Sequence, residues 1–240
     1  MKRKLIWIIP LFFLIILAGG SFWYISDYYH ADETALEALQ SDQDVTISRA
    51  DYGWYFDGPG KENALVFYPG GKVEESAYAP LLHALAKEGT DVCLVKMPLR
   101  LAFFGIGSAE KAMAQYDYGR WYIGGHSLGG VCASFYAEKH ADSLEGLILL
   151  ASYSTKKQDA KLDTLLIYGS NDGVLNMEQY RANFINVSEN AMEKIIEGGN
   201  HCQFGSYGFQ SGDGMAEIDA SEQIKQTAAD ITAFVSDENN

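Results

Sequence analysis

The chain has 240 residues, 48% of them hydrophobic, with 24 glycines and only 5 prolines, which excludes disordered and fibrous classes and fits one large domain. Its 32 acidic residues against 18 basic ones give a formal net charge of -14, a sign that excludes nucleic acid as the main partner. Three scattered cysteines, Cys93, Cys132 and Cys202, form no CxxC pair, disulfide framework or zinc cluster, so they read as small apolar residues and no metal is expected.

Lys2, Arg3 and Lys4 open the chain, and residues 5–26 carry no charge. As a helix at about 1.5 Å per residue, that stretch would reach about 33 Å, close to the hydrocarbon thickness of a bilayer. Residues 1–26 are therefore expected to form a signal-anchor, with Phe22, Trp23 and Tyr24 as an interfacial belt and the catalytic domain extracytoplasmic. A cleaved signal peptide is the alternative: residues 5–18 fit its apolar core, and cleavage near Gly20 would release a secreted domain. Without the basic cluster the remaining body is more acidic still, which is expected to disfavour anionic substrates. Residues 27–43 read as a juxtamembrane stalk with a short helix over 31–40, and residues 44–240 as the folded domain.

From residue 45 onward, short β-rich runs alternate with amphipathic stretches and no internal repeat appears, which predicts an α/β fold. The runs are 45–48, 52–56, 64–68, 91–95, 121–124, 146–151, 164–168 and 192–196, eight strands in all. Helical periodicity is clearest over 74–87, where Tyr78, Leu81, Leu82 and Leu85 share a face, and over 128–140 and 221–235. Continuous apolar runs such as Leu147-Ile148-Leu149-Leu150 suit parallel strands covered on both faces. The expected architecture is a mostly parallel eight-stranded sheet with helices on both sides.

Gly125-His126-Ser127-Leu128-Gly129 follows a strand and opens a helix, the context of a nucleophile elbow. GxSxG alone is a weak signal, and context supplies the rest. A serine hydroxyl needs a base, and the base needs a group that holds its tautomer, in the chain order Ser, acid, His. Asp172 lies in Gly169-Ser170-Asn171-Asp172-Gly173 after one strand, and His201 ends Glu197-Gly198-Gly199-Asn200-His201 after the next. Both positions fall at carboxyl ends of parallel strands, where such sheets bind ligands. Alone, Asp172 would read as turn chemistry and His201 as a loop histidine; the order and spacing of all three favour a triad. Tyr68-Pro69-Gly70-Gly71 after the 64–68 strand supplies the second oxyanion donor, Gly71 before Gly70, to pair with the N–H of Leu128. A phosphate loop does not fit, because Gly71-Lys72 is followed by Val73.

These stretches, with Lys96-Met97-Pro98-Leu99 and His201-Cys202-Gln203-Phe204-Gly205, resemble the α/β-hydrolase superfamily. The resemblance covers most of residues 41–236 and is narrowest to the small bacterial hydrolases similar to dienelactone hydrolase, the α/β-hydrolase fold-5 group. It implies the α/β-hydrolase fold, Ser127 as nucleophile, Asp172 as acid, His201 as base, and no cofactor. Dienelactone hydrolases themselves usually carry a cysteine where this chain has Ser127, and Pro69 replaces a histidine common before the oxyanion glycines.

Only about ten residues separate the strand ending near Ser152 from the one starting at Thr164, so no cap domain is expected and the site is open. Phe103 and Phe104 could wall an acyl group and His126 adjoins the nucleophile, which makes these three the candidate substrate-binding side chains; the glycine-rich stretch 205–214 could form a mobile rim. The reading is a carboxylesterase acting on a small-molecule ester through an acyl-enzyme. The alternatives are acyl transfer or peptide hydrolysis on envelope components, and a noncatalytic binding protein on the same scaffold. No oligomeric state follows from the sequence.

Overall fold

Each β-rich run forms a strand in the computed structural model, which describes residues 2–236. These are β1 (Thr46–Ala50), β2 (Gly53–Asp57), β3 (Asn63–Tyr68), β4 (Thr90–Val95), β5 (Arg120–His126), β6 (Gly146–Leu150), β7 (Asp163–Gly169) and β8 (Met192–Ile196). They make one sheet in the order β1-β2-β4-β3-β5-β6-β7-β8. β2 is antiparallel to both β1 and β4, and every other pairing is parallel. The chain leaves β3 for β4 on one side, then returns across the sheet to β5 on the other. The carboxyl ends of β3 and β5 therefore flank a topological switch point, where such sheets open a crevice.

The helices are α1 (Lys2–Ser26), α2 (Glu33–Glu37), α3 (Ala79–Lys87), α4 (Ser108–Met113), α5 (Leu128–His140), α6 (Met177–Asn183) and α7 (Ala220–Ser236). Strand alternation divides the core between two faces. Leu65 and Phe67 of β3 pack with Leu81, Leu82 and Leu85 of α3 and Ile231 and Phe234 of α7, whereas Val66 and Tyr68 pack with Cys132, Ala133 and Tyr136 of α5. The periodic stretch 74–87 is not one helix: Glu75–Tyr78 is a 3-10 turn and α3 starts at Ala79. Pro80, in the first turn of α3, has no N–H to extend the α ladder back into that turn. Between β6 and β7 the chain is pinned by Gln158, whose Nε2 donates to Ser134 O at 3.2 Å and Ser154 Oγ at 2.8 Å, and no separate cap is present there.

The membrane span expected of residues 1–26 is overturned: among the described residues, no helix is long and apolar enough to cross a membrane. The end of α1 instead lies against the domain. Ile16, Leu17, Tyr24 and Ile25 line an open groove with Leu99, Leu101 and Phe104. The extracytoplasmic placement that rested on that span loses its support with it.

Candidate active site

Ser127 occupies the turn between β5 and α5 with φ 53° and ψ -122°. That backbone costs about 1–3 kcal/mol and persists only where the surroundings over-determine it. Three hydrogen bonds do so. Ser127 N–H donates to Leu150 O at 2.9 Å, and Ser127 C=O accepts from Val131 N–H at 3.2 Å and from Ser152 Oγ at 2.8 Å. The glycine two residues on is required by packing: a Cβ on Gly129 would lie 2.2 Å from the Tyr68 carbonyl oxygen, so only glycine lets α5 approach the end of β3.

Asp172 does two things at once. Its Oδ1 accepts from Val174 N–H at 2.9 Å and Leu175 N–H at 2.7 Å, which is turn chemistry, while Oδ2 lies 2.9 Å from His201 Nδ1. Both side chains of the pair are 1% exposed. A carboxylate only accepts, so the proton sits on Nδ1 and Nε2 is left as the basic nitrogen. That Nε2 is buried without a hydrogen-bond partner. Ser127 and His201 line one cavity of about 250 Å³ with Val131, Tyr153, Val174 and Leu175.

Gly71 and Leu128 lie against each other: a Cβ on Gly71 would meet Leu128 Cδ2 at 2.8 Å. Leu128 is the first residue of α5, so the helix offers its N–H no acceptor. Gly70 is different, because its N–H donates to Tyr78 Oη at 3.0 Å. Tyr78 in turn lies 2.8 Å from His126 Nδ1. The Tyr78 hydroxyl thus joins the oxyanion-loop glycine to the ring of His126, whose Nε2 is buried without a hydrogen-bond partner. His126 is 1% exposed, with its ring centroid 4.5 Å from that of His201 and 5.6 Å from that of Phe204. Burial, and then the neighbouring His201, hold His126 well below the usual imidazole range. A neutral His126 puts no positive charge beside His201.

Of the residues expected to touch substrate, none lines the cavity that Ser127 and His201 share. His126 is enclosed, Phe103 packs at 6.5 Å against Phe135 of α5, and Phe104 belongs to the groove beside α1. The pocket walls are instead Val131, Tyr153, Val174 and Leu175, which sequence reading passed over because they come from three separate segments. A larger recess of about 530 Å³ is lined by Asn200, Cys202 and Ile224, but neither Ser127, His201 nor Gly71 lines it. Burial pushes the Cys202 thiol up to about 11, which leaves it a packing residue rather than a nucleophile. Among the described residues, no group of three or more His, Cys, Asp or Glu side chains could hold a metal ion.

Asp213 is a further site residue that sequence reading missed. Its carboxylate accepts from His201 N–H at 3.2 Å, Cys202 N–H at 2.8 Å and Gly173 N–H at 3.1 Å, tying the loop of His201 to that of Asp172. Burial alone would raise its pKa, but the N–H donors outweigh that and hold it below the usual carboxylate range. A lowered folded pKa contributes stability that is present above the unfolded value of about 3.9 and lost as pH falls through the folded one. Asp213→Asn is therefore expected to lower Tm at neutral pH and to flatten the fall of Tm below about pH 4. Wild-type and variant melting curves from pH 2.5 to 7 check this, and parallel curves would remove the role.

The alpha/beta hydrolase family matches residues 64–225, two-thirds of the chain, and the chain belongs to that family. Solved structures agree on the fold. A predicted CIB-like hydrolase from Thermoplasma acidophilum superposes with a TM-score of 0.56 at 16% identity, covering 79% of this chain and 99% of its own. Est1E from Butyrivibrio proteoclasticus gives 0.55 at 13% identity, with 80% and 98% covered. The carboxylesterase CesB from Bacillus subtilis gives 0.54 at 10% identity, with 85% and 95% covered. None of the curated proteins matches the sequence. At these identities the similarity speaks to the fold, and the chemistry must be argued from the site.

Proposed function

We propose that this chain is a serine hydrolase of carboxylic esters that works through an acyl-enzyme. The observation that carries the reading is the buried Asp172–His201 pair, whose unpartnered Nε2 shares a cavity with Ser127. In the proposed reaction, Ser127 Oγ attacks the ester carbonyl carbon as its proton passes to His201 Nε2, and the carbonyl oxygen becomes an oxyanion held by the N–H groups of Leu128 and Gly71. The tetrahedral intermediate collapses by breaking the bond to the alkoxy group, which leaves with the proton from His201. Water then adds to the acyl-enzyme, losing its proton to His201, and collapse releases the acid and restores Ser127. Asp172 keeps its charge and stabilises the imidazolium in both halves.

The cavity of about 250 Å³ with apolar walls suits a short acyl or alkyl arm, and one of the similar folds is named a carboxylesterase. Fluorophosphonate labelling tests the proposal: the expected result is one adduct, on Ser127, in the folded protein and none after denaturation. A folded protein left unlabelled, or labelled elsewhere, would end this reading.

A further inference from the structure

The segment between α1 and α2 is not a free connection. Tyr29 N–H donates to Lys72 O at 2.8 Å, and Tyr29 O accepts from Glu74 N–H at 2.9 Å, so residue 29 pairs with Val73 as a short parallel bridge along the outer edge of the oxyanion turn. Side chains reinforce the seam. Lys72 Nζ meets Asp27 Oδ2 at 2.8 Å, the Arg100 guanidinium lies 3.3 Å from the Tyr28 ring centroid, and Ala31 N–H donates to Glu74 Oε2 at 3.3 Å. The same segment reaches the rim beyond His201: Asp32 N–H donates to Ser206 O at 2.9 Å, and Ser211 N–H donates to Tyr29 Oη at 3.3 Å.

The turn being held is one that would not hold itself. Lys72 has φ 59° and Arg100 φ 57°, left-handed backbone in side-chain-bearing residues, and Lys72 N–H donates to Arg100 O at 2.9 Å between them. Around Gly71 every neighbouring group is committed. Gly70 N–H goes to Tyr78, Lys72 N–H to Arg100 and Lys72 C=O to Tyr29, while Gly71 N–H has no acceptor among the described residues. Fixing both flanking peptides points one donor without spending it.

We propose that residues 27–32 form a strap that positions the oxyanion hole, with the Tyr29 main chain as its key contact. The inference rests on the serine-hydrolase reading above, and Tyr29 is a positioning residue that acts through Lys72 on Gly71 rather than touching substrate. Preorganised donors matter only as negative charge develops, so the strap should affect transition-state stabilisation more than substrate binding.

The test uses full-length chain, with kcat measured per fluorophosphonate-titrated site and affinity measured for a phenylboronic acid, which forms a tetrahedral adduct on serine. Tyr29→Pro removes the N–H donor, Tyr29→Ala removes the ring alone, and Tyr29→Phe removes only the bond to Ser211. Tyr29→Pro is expected to lose roughly 10- to 100-fold in both kcat and boronate affinity, below the 10²–10³ of deleting a donor outright, with KM within about twofold. Tyr29→Phe should match wild type and Tyr29→Ala should lie between. Wild-type kcat and boronate affinity in Tyr29→Pro would overturn the strap, as would a loss confined to KM or to thermal stability. Should Tyr29→Pro fail to fold, the triple variant Asp27→Asn, Tyr28→Ala, Tyr29→Ala is read by the same criteria. A wild type that neither labels nor turns over an ester removes the parent reading and the strap with it. Normal wild-type activity with indifferent variants removes the strap alone.

Discussion

Ser127→Ala is expected to lower kcat for p-nitrophenyl acetate by about five to six orders of magnitude, with the variant still folded. The structural reason for expecting a clean result is that the elbow is held by the backbone of residue 127. Its N–H bonds to Leu150 O, and its C=O bonds to Val131 N–H and Ser152 Oγ, so the hydroxyl takes no part in keeping the strained turn. Alanine bears the same positive φ at about the same cost as serine. What it lacks is the atom that would form the acyl-enzyme, and without that atom His201 has no proton to take. Residual turnover should show no burst of p-nitrophenol. Matched circular dichroism and melting curves, with turnover followed at 400 nm, check the expectation; activity near wild type would assign the nucleophile elsewhere.

Asp172→Asn is expected to cost about 10⁴ in kcat with little loss of stability. The carboxylate has two separable tasks. Oδ1 caps the turn by accepting from Val174 and Leu175 N–H, and an amide oxygen accepts there equally well. Oδ2 faces His201 Nδ1, and there the amide presents N–H instead of an acceptor. The imidazole must then accept at Nδ1 and carry its proton on Nε2, the tautomer that cannot take a proton from Ser127. The negative charge that would stabilise the imidazolium is lost as well. Asp172→Ala also removes the two turn hydrogen bonds, so its Tm should fall further while its kcat falls similarly. A variant Asp172→Asn with kcat within tenfold of wild type would show that another group orients the base.

Much of the architecture was legible because its signals are local. Runs of four to six residues rich in apolar or β-branched side chains mark all eight strands, and the loops carrying Ser127, Asp172 and His201 each follow a strand directly. Both readings of Asp172, turn residue and triad acid, were available, and in the fold one oxygen accepts from the turn while the other lies against His201. What failed was inference from an apolar run to its surroundings. The composition of residues 5–26 suggested lipid, but the last turns of α1 line a groove with Leu99, Leu101 and Phe104, the last of which the sequence reading placed beside the substrate instead. Pro80 was visible and its effect on the 74–87 periodicity was predictable from its missing N–H, yet the shared face of Tyr78, Leu81, Leu82 and Leu85 concealed the break.

The sequence by itself determined the α/β class, the strand count, the elbow at Ser127 and the order in which Asp172 and His201 follow, because each is written within about ten contiguous residues as a period or a turn. The tertiary structure alone decided which loops meet. Asp213 reaching the N–H groups of His201 and Gly173, Tyr78 joining Gly70 to His126, and Tyr29 lying along the turn at Lys72 with Ser211 on its hydroxyl span separations of 8 to 182 residues. Such contacts follow from the crossing of the chain at the β3–β5 switch point, which brings distant loops to one end of the sheet. No local pattern records them, since neither partner's own neighbours require the other.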